Sequence, residues 1–147
     1  MSLQQTLTPI GKFKNKLNDM IDYLESIVPN DRDIEKYKMK LNTGLQANPR
    51  MVVEYFVECI EKYADHILQG DDAYFTGMNY SQMNMDDDYV KLSLTIQTIW
   101  SNITPDQREK IKRYFKLLVM LGAIAVRSEN LRQIINKYRD PANPLMF

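Results

Sequence analysis

The sequence predicts an all-α fold, a single bundle of five or six helices around one central apolar helix. Three observations carry that expectation. Threonine or asparagine stands directly before proline at Thr8-Pro9, Asn48-Pro49 and Thr104-Pro105; each pair offers an N-cap acceptor, then the residue that loses nothing at the first helical position. Apolar residues recur three and four positions apart, and no strand-like alternation is found. The run LLVMLGAIAV at 117–126 is about half of the roughly 20 residues that span a bilayer, so it reads as a core helix covered on most sides.

The elements follow in order. After Thr8-Pro9, the residues Ile10, Phe13, Leu17, Met20, Ile21, Leu24, Ile27 and Val28 form the inward stripe of a long helix that Pro29 ends. Asp31 or Asp33 caps a second helix with Ile34, Tyr37, Leu41 and Leu45 inward, frayed at Thr43-Gly44. Asn48-Pro49 opens a third with Val53, Phe56, Val57, Ile60, Ala64, Ile67 and Leu68 inward, and Gly70 is its left-handed stop. Tyr89, Leu92, Ile96, Ile99, Trp100 and Ile103 pattern a fourth helix. Thr104-Pro105-Asp106-Gln107 has capping-box spacing and opens a fifth with Ile111, Phe115, Leu118, Leu121, Gly122 and Ala125 inward. A sixth helix, or a continuation of the fifth, covers 128–138. Residues 1–140 are assigned to one helical domain and 141–147, with Pro141 and Pro144, to a C-terminal tail whose Leu145-Met146-Phe147 end either docks to close the bundle, the favoured reading, or is a short hydrophobic ligand for a partner.

Composition narrows the function classes. Hydrophobic residues at 44% and charged residues at 26% exclude disorder throughout. A single cysteine, Cys59, excludes an internal disulfide framework and fits a reducing compartment. The polar opening 1–8 lacks the apolar core of a secretory signal, so the expectation is an intracellular protein with no membrane partner. The net charge of zero is a cancellation: residues 1–50 carry +2, 51–100 carry −7 and 101–147 carry +5. An acidic middle and a basic end complement each other inside the fold or face different partners.

Between the third and fourth helices lies GDDAYFTGMNYSQMNMDDDY, residues 70–89, with five aspartates, three methionines and three tyrosines. The EF-hand spacing of alternate carboxylates around a central glycine is missing, and no His or Cys accompanies the methionines as a soft-metal site requires. Asp86, Asp87 and Asp88 read as cap and dipole complement for the fourth helix. Cys59 and His66, seven residues apart, fall two turns along one helix, about 10 Å apart and too far for a thiol-imidazole pair. His66 is the one histidine of the chain, so no histidine-based triad or zinc site is available within it. No cofactor, metal or catalytic residue is expected.

Two surfaces remain. Tyr74, Met78, Tyr80, Met83, Met85, Asp86, Asp87 and Asp88 form a candidate protein-binding segment, since a connection this long is uncommon without a role and methionines make adaptable contacts. Arg108, Lys112, Arg113 and Lys116 form a basic stripe that can track phosphates, although Phe115 between them belongs to the apolar face.

The residues from 51 to 125 also carry a family likeness. Asp72, Tyr74 and Phe75 after a helix, followed by Ile99, Trp100 and Ile103 and then Ile111, Tyr114, Phe115 and Leu118, resemble a family of small uncharacterised helical proteins of large nucleocytoplasmic DNA viruses. The chain departs from that pattern at Pro105-Asp106-Gln107, where the clean cap replaces a polar stretch. The resemblance implies a viral protein of host cytoplasm or virion and brings no catalytic residue. The sequence therefore points to a non-catalytic protein-interaction or assembly factor that binds a protein partner or itself. The alternatives are a virion structural or scaffolding component and a nucleic-acid-associated factor using helix 105–126 and the basic end.

Overall fold

The computed structural model describes residues 8–70 and 88–138, without the side chains of 88–93. The 141–147 tail and the greater part of the 70–89 connection lie outside the described residues. Among those described, the architecture is all-α with no strand: α1 (Pro9–Ile27), α2 (Arg32–Ala47), α3 (Pro49–Glu61), α4 (Ala64–Gln69), α5 (Asp88–Ile99), a 3-10 turn (Trp100–Asn102), α6 (Pro105–Ala125) and α7 (Glu129–Lys137).

All three Thr/Asn-Pro pairs start helices. Gly11 N–H donates to Thr8 Oγ1 at 3.0 Å and Met51 N–H to Asn48 Oδ1 at 3.1 Å. At α6 the capping box closes in both directions: Gln107 N–H donates to Thr104 Oγ1 at 3.1 Å, and Thr104 N–H to Gln107 Oε1 at 2.9 Å. Asp31, rather than Asp33, caps α2 by accepting from the amides of Asp33 and Ile34. Each cap satisfies amides that a helix start would leave without acceptors, worth about 1 kcal/mol.

The central helix is α6. It packs against α1, α3, α4 and α7, and its contact with α1 is the most extensive in the fold. Ile111, Phe115, Leu118, Val119, Met120, Leu121, Ala123 and Ala125 are buried, while Ile124 is 50% exposed. The apolar run is thus covered on all but one side. Phe13, Leu17, Met20, Ile21 and Leu24 of α1 face it, and the buried residues of the helices join one core. Each such fully buried side chain contributes about 1.5–3 kcal/mol.

Gly122 lets α6 sit this deeply. A Cβ built there would lie 2.6 Å from Val57 Cγ2 on α3 and 3.2 Å from Phe13 Cε2 on α1. Val57 is β-branched and buried, so it has no free rotamer into which to retreat.

Two expectations change and one open alternative is decided. The third helix is two: Tyr63, at φ −116° and ψ 11°, leaves the helical path, its N–H donates to Ile60 O at 3.0 Å, and α4 restarts at Ala64. No glycine or proline marks the break. Its basis is tertiary, because α4 docks on α6 and α7, where Tyr138 Oη donates to Asp65 Oδ1 at 2.7 Å and accepts from Gln69 Nε2 at 2.9 Å. Gly44 does not fray α2, which runs unbroken to Ala47, with the Thr43 hydroxyl donating to Met39 O at 3.0 Å. Finally, α6 and α7 are separate helices. Ser128 N–H donates to Ala123 O at 3.0 Å and Arg127 N–H to Ile124 O at 3.4 Å, the paired bonds of a Schellman stop, with Arg127 at φ 53° where glycine is usual. Gly70, at φ 71°, ends α4 as expected.

The packing at Gly122 yields a test. Alanine there gains about 1 kcal/mol of helix propensity but meets overpacking that costs about 1–3 kcal/mol. Gly122→Ala should lower Tm in a calorimetric scan, and a raised Tm would show that α1 and α3 give way freely.

Candidate binding cleft

The sequence-predicted segment Tyr74, Met78, Tyr80, Met83, Met85, Asp86 and Asp87 falls outside the described residues. Asp88 is the first residue of α5. Among the described residues no group of three or more His, Cys, Asp or Glu side chains is gathered to hold a metal, and no helix is long and apolar enough to cross a membrane.

The basic stripe is placed largely against the protein itself. Arg108 Nε donates to Trp100 O at 2.8 Å, and its guanidinium lies 5.9 Å from the Trp100 ring centroid, so it ties the 3-10 turn to α6. The Lys112 side chain is only 11% exposed, with Nζ 3.1 Å from Glu109 Oε1. Lys116 is half-buried, and its ammonium lies beside Gly70 at the carbonyl end of α4. Arg113 is the exposed member of the four. Lys110, outside that set, lies 4.4 Å from the Tyr23 ring. Burial, with Asp106 adding to it, raises the Tyr23 phenol above its ordinary pKa.

The remaining reactive groups are dispersed. Glu61 accepts from Asn130 Nδ2 at 2.7 Å and from Ser128 Oγ at 3.3 Å, so its carboxylate fastens the end of α3 to the start of α7. Cys59 is half-buried on α3, whereas His66 is exposed on α4 beyond the break. The two therefore do not share one helix as expected. Burial, then the nearby Glu58, raises the Cys59 thiol pKa, with Lys62 opposing. A thiol so shifted is a poor nucleophile near neutrality.

What the structure does assemble is an apolar cleft of about 270 Å³ between α1, α2 and α3. Leu17 and Ile21 of α1 form its floor; Tyr37, Leu41 and Gly44 form the α2 wall, and Met51, Val52, Tyr55 and Phe56 the α3 wall. Its narrow end is set by Gly44, where a Cβ would come 3.1 Å from Val52 Cγ2. The absence of a side chain at that position lets α2 and α3 come together at one end, and Asn48 joins them by a single residue. On the rim, Met51 is 64% and Tyr55 41% exposed. Lys40 is the one charged residue of the lining. A second cavity, between α2 and α5, is of mixed character with Asp31, Asp33, Thr95 and Thr98 in its wall, and Asp31 is already committed to capping α2.

Sequence reasoning missed this cleft. Leu41 was expected in the core and is half-buried because it lines the opening instead. The available signal was on α3: Met51, Val52 and Tyr55 lie beside the inward set Val53, Phe56, Val57 and Ile60, which makes its apolar band wider than one core contact needs.

Comparison with family models, curated proteins and solved structures found no match.

The thiol environment gives a check on the α3–α4 region. A raised pKa and half-burial predict that Cys59 reacts with a disulfide reagent near pH 8 more slowly in the native protein than in urea. Native labelling as fast as unfolded labelling would contradict the placement.

Proposed function

We propose that this protein is a non-catalytic interaction protein that takes apolar side chains of a protein partner into the α1–α2–α3 cleft. The observation that carries this reading is the exposure of Met51 and Tyr55 on the rim of a cleft whose floor and walls are apolar. Single exposed apolar residues need no explanation, but a concave apolar site bordered by them is where binding gains most from excluding water. Methionine adapts to irregular partners, and tyrosine is enriched among the residues that dominate interface energy. The reading also agrees with how charged groups are used: Arg108 ties the 3-10 turn to α6, Glu61 ties α3 to α7, and Lys112 pairs with Glu109 within α6. This proposal takes the partner to be one of an infected cell or a virion, as the resemblance of residues 51–125 implies, with the methionine-rich segment 71–87 as a second contact.

The test is affinity capture of the tagged protein from its native cells, before and after nuclease, beside the doubly substituted Met51→Glu/Tyr55→Ala protein. A specific partner should survive nuclease and be lost by about tenfold or more from the variant, provided circular dichroism shows the variant folded. Equal capture by both proteins would remove the cleft from the function. Loss of all partners with nuclease would favour nucleic acid.

A further inference from the structure

We draw no further inference here: the strongest candidate, the apolar cleft between α1, α2 and α3 taken as the seat of one particular occupant, belongs to the site already described, and nothing in the structure shows what covers it.

Discussion

The fold depends on a close approach of three helices at a position with no side chain. Gly122 of α6 faces Val57 of α3 and Phe13 of α1, and the space between them is smaller than a methyl group. Close packing brings the surrounding residues to full contact: Phe13 meets Phe56 edge-on at 5.5 Å between ring centroids, and Leu17, Leu118 and Val119 are completely buried. A glycine inside a helix costs about 1 kcal/mol relative to alanine. Packing contacts on three helices offset that cost, because dispersion falls off within an ångström of added separation.

The peripheral elements are arranged around that contact. The capping box fixes where α6 begins and the Schellman stop where it ends, so the direction of α7 is set by Arg127. Glu61 and Tyr138 then hold α7 to the α3 and α4 side through side-chain hydrogen bonds. With α1 and α3 held together by α6, α2 approaches α3 closely at Gly44 and leaves the cleft beside it. The cleft is therefore a consequence of how the core is built: α1 gives its deepest side to α6, and Leu17 and Ile21 serve both core and floor.

Much of this was legible in the sequence because it is local. Thr8, Asn48 and Thr104 declare helix starts through hydrogen bonds that span three residues, and the middle of the expected α1 stripe, Phe13 to Leu24, is buried while Ile10, Ile27 and Val28 at its ends are half-buried. The break at Lys62-Tyr63 was illegible because Ile60, Ala64, Ile67 and Leu68 keep helical spacing across it; only docking on α6 and α7 distinguishes two helices from one. Arg127 concealed the α6 stop since a left-handed arginine carries none of glycine's signal. Gly44 was misread for a related reason: its role is a contact with Val52, which no pattern within α2 contains. The basic residues share one stretch of α6, yet the setting of Arg108 and Lys116 depended on Trp100 and Gly70, which lie outside the periodicity that defined the stripe.

The placement of α6 at the centre is tested most directly by native-state hydrogen exchange. The amides of residues 118–123 should be the slowest in the protein and exchange only through global unfolding, while those of α7 open locally and sooner. Exchange of 118–123 at rates equal to those of α7 would contradict a core organised around Gly122.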